Sequence, residues 1–187
     1  MPPVSHQPLT HAERAARKQN AISTAADIYR DYGGNRIPVL VDRIAKKLGF
    51  RIRYQPMDEG LSGIAFMKDE TGFIGVNSVH PPNRQRFTIA HELGHLVLHQ
   101  TEVAHAVMVD KDFRGLMRDD LASQGIDHLE IEANAFAAEL LMPREKIIDL
   151  YDDLPIDFES DFAASELAKK FKVSAAAINN RLVTLIR

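Results

Sequence analysis

Apolar and polar positions alternate with two different periods along the chain, and the change of period divides it into regions. THAERAARKQNAISTAADIYRDYGG (10–34) has a helical rhythm, with Thr10 as a candidate N-cap and Gly33-Gly34 as its stop. IPVLVDRIAKKLG (37–49) predicts a second helix, entered through Pro38 and closed by Gly49. The rhythm then shortens to two. FRIRYQPM, LSGIAFMKD and FIGVNS alternate, with Asp58-Glu59-Gly60 and Glu70-Thr71-Gly72 between them, so three strands in an antiparallel meander are expected. FIGVNS is the candidate for pairing with an extended peptide. Helical spacing returns after Pro81-Pro82 and again in EIEANAFAAELLMP (130–143), where Asp127 is a candidate N-cap and Pro143 lies just past the end. The order of elements predicts an α+β fold.

The helix after Pro82 contains FTIAHELGHLVLH (87–99), which carries three histidines and a glutamate on an otherwise apolar helix. His91 and His95 are one turn apart on one face, about 6 Å along the axis, so two imidazoles can share one ion. Glu92 is turned about 100° from His91 and falls beside such an ion. HELGH is thus an HExxH arrangement, in which zinc acidifies a water and the glutamate takes its proton. His99 continues the series but lies about 12 Å from His91 along the axis, too far to share the ion, so a supporting hydrogen bond is expected of it. Gly94 in mid-helix, about 1 kcal/mol worse than alanine, predicts the close approach of another backbone.

A catalytic zinc needs a third protein ligand. His105, His128, Glu130, Glu132 and Glu139 are candidates. Glu130 and Asn134 are four apart, so one can bind the metal while the other holds a ligating histidine. Glu130 is favoured as the ligand, with Glu132 as the alternative, and Glu139 is read as a surface group or an ion pair. With no cysteine in the sequence, a thiolate site is excluded, while His and carboxylate ligands leave manganese or iron open beside zinc. Tyr54, His80, His105, His128 and Tyr151 all have the chemistry to stabilise an oxyanion.

Taken together, RQRFTIAHELGHLVLH and EIEANAFAAELLMP resemble the ImmA/IrrE family of zincin-like metallopeptidases. The resemblance extends to GIAFMKDETGFIGVNS and VMVDKDFR, covering roughly residues 35–150. It implies a small zincin-like fold of helices around a three-stranded sheet, with zinc between the HExxH helix and the later glutamate helix. It also implies cleavage of helix-turn-helix repressors of the phage or Xre type, which would derepress their genes.

Composition adds a few limits. A chain of 187 residues, 45% hydrophobic, suits one domain with a small appendage. Residues 1–9 are expected to be a flexible tail, 10–154 the metallopeptidase domain, and 155–187 a helical segment beside it. MPPVSHQPLT lacks the marks of a secretory signal, and no apolar run is long enough for a membrane span, so a cytoplasmic location is expected. Charge is uneven, at +6 over residues 11–53, −11 over 102–161 and +4 over 165–187.

The basic end, SELAKKFKVSAAAINNRLVTLIR, has a helix-turn-helix-like pattern with a turn near Phe171-Lys172-Val173 and Ser174 capping the second helix. Lys169, Lys170 and Lys172 could reach phosphates, but AAAINN offers few long side chains for base edges, so packing or repressor docking is the stronger expectation than DNA binding. The rival to a peptidase is a module that sequesters a repressor or binds DNA without cutting, its metal a structural staple. Against it, Glu92 has little purpose in a site whose every position is filled by protein ligands, though a further closing ligand such as His105 or His128 would revive that rival.

Overall fold

The computed structural model describes residues 9–58, 60–101, 103, 120–153 and 161–186. His105, the VMVDKDFR segment and the 154/155 boundary lie outside them, as do residues 1–8 of the expected tail. In chain order the elements are α1 (His11–Tyr32), α2 (Val41–Lys47), β1 (Arg51–Gln55), β2 (Gly63–Lys68), β3 (Thr71–Asn77), α3 (Pro82–Leu98), α4 (Asp120–Leu141), α5 (Arg144–Asp153), α6 (Asp161–Phe171) and α7 (Ala175–Ile186). The fold is α+β, and none of the described helices is long and apolar enough to cross a membrane.

α1 starts where the sequence predicts. Thr10 accepts from the Glu13 amide while the Glu13 carboxylate accepts from the Thr10 amide, a reciprocal cap, and Gly33 closes the far end. Its buried face is Ala21, Ala25, Ile28 and Tyr29. α2 begins at Val41, three residues later than expected from Pro38; Gly49, with φ of 89°, ends the turn after it.

The sheet differs from the expected antiparallel meander. Its order is β1-β3-β2, with β2 antiparallel to β3 but β1 parallel to it. β2 and β3 form the local hairpin, turning at Asp69 and Glu70, both with positive φ. The β1–β2 connection instead crosses over. Asn77, buried at the end of β3, donates to the Met57, Asp58 and Leu61 carbonyls and accepts from the Met57 and Val79 amides, which pins that connection to the sheet. β3 takes the centre and is the most buried of the three strands, with Ile74 and Val76 fully buried. FIGVNS therefore has both edges paired and cannot accept a further strand. Among the described strands, β2 is the edge nearest α3.

α4 packs against both α1 and α3. It begins at Asp120, so Asp127 lies inside the helix and does not cap it. The contact with α3 is close at Gly94, as expected: a Cβ there would stand 3.2 Å from the Phe136 ring and 3.3 Å from the Ala133 Cα. Ile89, Ala90, Leu93 and Leu96 meet Phe136, Ala137 and Leu140 in one core.

α6 and α7 extend the same core through Leu167, Phe171, Val173 and Ile178. Lys172 adopts a φ of 53° in the turn between them, and Ser174 Oγ accepts from the Ala177 amide. Asn83 and Arg86 at the start of α3 donate to the Val173, Lys172 and Phe171 carbonyls. Arg181 of α7 is buried, donates to the Met142 carbonyl at 3.1 Å and pairs with Glu139 of α4. Glu139, which the sequence left as surface or ion pair, is thus a buried ion pair that also accepts from the Arg144 amide at the start of α5. Removing one member of such a pair leaves a buried charge. Arg181→Met should cost about 3–5 kcal/mol in denaturant unfolding, and the double variant Arg181→Met/Glu139→Leu should regain a substantial part of it.

Candidate metal centre

α3 presents His91, His95 and His99 toward α4 from successive turns. His91 Nε2 and His95 Nε2 are 3.1 Å apart. Glu130 of α4 completes a triangle, one carboxylate oxygen 3.1 Å from His91 Nε2 and the other 3.1 Å from His95 Nε2. Among the described residues these three form a group with metal-ligand spacing. Donor atoms bound tetrahedrally about 2.05 Å from a zinc ion stand about 3.3 Å apart, close to the edges found here.

The hydrogen bonds around the triangle agree with that fit. The Asn134 side-chain oxygen lies 3.2 Å from His91 Nδ1, so Nδ1 donates to it and Nε2 is the nitrogen left to face a metal. In the absence of a metal, hydrogens on the two Nε2 atoms let the rings face the Glu130 carboxylate, and a metal ion in the centre would take the place of those hydrogens. Phe87 stacks on the His91 ring and helps fix its plane. The histidine side chains are 15% and 13% exposed but that of Glu130 is 48% exposed, so the triangle opens to solvent on the α4 side.

Electrostatics follow from the same contacts. Hydrogen bonds with His91 and His95 hold the Glu130 carboxyl far below its ordinary range. Burial acts to lower the pKa of His91, but the combined pull of Glu130 and Glu92 raises it. Burial, with the Glu130 carboxylate adding to it, raises the pKa of Glu92 against the opposing histidines.

Glu132, the alternative ligand, lies outside the triangle. It is buried, with one oxygen 2.8 Å from Arg17 Nε and the other 3.1 Å from His99 Nε2. His99 is 1% exposed and its Nδ1 is 3.2 Å from His95 Nδ1. Lys169, Lys170 and Lys172 are exposed, and Lys169 pairs with Glu166 at 2.7 Å. Of the oxyanion candidates, Tyr54 is 52% exposed on β1, His80 is buried with Nδ1 lacking a hydrogen-bond partner, and His128 is half-buried on α4. The Tyr151 side chain lies outside the described set.

Sequence reasoning missed Arg17 and Gly63. Nothing local to THAERAARK marks Arg17 as reaching α4. Gly63 carried a signal, since a glycine inside an alternating strand often marks a close approach. A Cβ on Gly63 would stand 2.3 Å from the Thr88 methyl, 2.8 Å from the Gly75 carbonyl and 3.2 Å from Glu92 Oε1, so the edge strand passes beside the Glu92 carboxylate.

A small α+β domain with a His-His-Glu donor set between two helices and a glutamate beside it has the form of a metallopeptidase domain. The chain belongs to the peptidase M78 family, whose model, described as the IrrE N-terminal-like domain, matches residues 45–183. It is 29% identical over 164 residues to the radiation response metalloprotease IrrE of Deinococcus radiodurans, covering 84% of this chain and 45% of that protein. It is 36% identical over 104 residues to the IrrE of Deinococcus deserti, covering 54% of this chain and 32% of that protein. The chain thus spans less than half the length of these curated relatives. Its fold is similar to that of a Mycobacterium tuberculosis transcriptional regulator, with a TM-score of 0.61 at 16% identity over 90% of this chain and 48% of the other.

The tight packing at Gly63 gives a test of the geometry. Gly63→Val should destabilise the protein by about 1–3 kcal/mol in thermal or denaturant unfolding, because the Gly75 carbonyl is backbone and cannot turn aside.

Proposed function

We propose that this chain is a zinc-dependent endopeptidase in which His91, His95 and Glu130 hold the metal and Glu92 is the general base. The observation that carries this reading is the convergence of His91 Nε2, His95 Nε2 and Glu130 on one point 3.1 Å from each other, on a side open to solvent, with Glu92 next to His91. When bound, zinc acidifies water and polarises a peptide carbonyl. Glu92 takes the proton from the attacking water and delivers it to the leaving amine. Burial makes its carboxylate a stronger base than an exposed one, which suits that task. Asn134 and His99 orient the two histidines. The outer edge of β2 beside Glu92 is the surface on which an extended substrate would pair.

The substrate proposed is a helix-turn-helix repressor of the phage or Xre type, on the resemblance of the two motif helices to ImmA/IrrE proteins. The helix-turn-helix-like pair α6–α7 serves as a packing or docking element: Arg181, its buried cation, is occupied by Glu139, and Lys169 by Glu166. DNA binding through Lys169, Lys170 and Lys172 is the lesser reading. No shift of duplex DNA at low salt is the outcome expected of a mobility assay.

The decisive experiment is co-expression of the parent and of Glu92→Gln with helix-turn-helix regulators encoded nearby, read by intact mass spectrometry. The parent should give one discrete cut and Glu92→Gln none, with zinc still bound to both. Regulators that stay whole with both forms yet co-purify would replace the peptidase with a sequestering module.

A further inference from the structure

The two histidines of the donor triangle are both held from α4, but by different means. Asn134 touches His91 directly, whereas His95 is reached through His99. We infer that Glu132 and Arg17 form the outer end of a relay that, through His99, holds the His95 ring in the orientation that turns Nε2 to the metal position. This rests on the metal-site reading above and deepens it.

The assignment follows from what each group can donate. A carboxylate can only accept, so the 3.1 Å contact between Glu132 and His99 Nε2 requires hydrogen on that nitrogen. His99, as a neutral imidazole, then has Nδ1 as its acceptor. His95 Nδ1, 3.2 Å away, must supply the hydrogen. His95 Nδ1 is thereby a donor, which leaves Nε2 as the nitrogen that faces His91 and Glu130, where it would hold a metal and, without one, donates to the Glu130 carboxylate. Each link leaves one arrangement for the next.

Arg17 keeps the outer end charged. A buried carboxylate without a cation partner is costly, and Glu132 is 8% exposed in its side chain. Arg17 supplies an Nε–H donor at 2.8 Å while its own side chain stays 41% exposed, so its charge remains largely hydrated. Glu132 is therefore a positioning residue, and α1 reaches the metal position through it. Glu130, Glu132 and Asn134 occupy alternate positions on α4, so one helix supplies a ligand and both orienting contacts.

The test uses the whole chain stripped of metal, with zinc alone as the probe. Long-range proton–nitrogen NMR of the histidine rings reads the tautomers, and competition with a chromophoric chelator reads zinc affinity. The parent should carry the His95 hydrogen on Nδ1. Glu132→Ala should populate both His95 tautomers and weaken zinc binding by about 10–100-fold. Arg17→Met should move both readouts in the same direction but less. The inference is overturned if the parent His95 carries no hydrogen on Nδ1, or if Glu132→Ala leaves ring signals and affinity unchanged. His91→Ala separates the two levels of argument: if zinc affinity survives that change, the metal-site reading has failed, and if it collapses while Glu132→Ala has no effect, the relay has. Should circular dichroism show Glu132→Ala unfolded, Glu132→Gln and Arg17→Met carry the same two readouts.

Discussion

The close contact of α3 with α4 at Gly94 is the constraint on which the rest of the structure depends. Without a side chain there, the Phe136 ring and the Ala133 backbone settle onto α3 within van der Waals distance. That separation brings Glu130 to within 3.1 Å of two imidazoles that α3 spaces by its own pitch. It also sets the reach of Asn134 to His91 and of Glu132 to His99. A helix pair held farther apart by a larger residue would retain the motif and lose the triangle. The helical cost of glycine at this position, about 1 kcal/mol, is offset by what the approach makes possible.

Local features were legible in the sequence, and long-range partnerships less so. The limits of α1 were readable because Thr10, Glu13 and Gly33 act on the helix ends they adjoin. The HExxH geometry was readable because residues four apart must share a face. The sheet order was not, since alternation fixes which face a residue occupies and says nothing of which strand lies alongside. The choice between Glu130 and Glu132 could be made from helical angles alone only as a preference. Arg17 and His99, which occupy Glu132, come from α1 and the end of α3 and leave no mark near residue 132.

The C-terminal helices are tied to the same two helices that make the donor triangle. Asn83 and Arg86 reach them from the start of α3, and Glu139 reaches Arg181 from the last turns of α4. One end of the α3–α4 contact, where the start of α3 meets the last turns of α4, is thereby braced by chain that follows it in sequence. The family match, which runs to residue 183, includes this brace. A basic segment whose buried Arg181 is already paired inside the protein has less charge to offer a nucleic acid than its composition suggests.

The donor set also has a consequence for how the molecule acquires its shape. His91 and His95 come together whenever one helix forms, a local event within microseconds, while Glu130 arrives only when two segments distant in the chain have docked. An ion that uses all three donors therefore binds the docked arrangement in preference to the separated one. By mass action it adds to the stability of that arrangement as its concentration rises above the dissociation constant. Metal supply and conformational stability are thus coupled variables in this domain, and the loaded and stripped forms differ in how firmly α4 is held against α3.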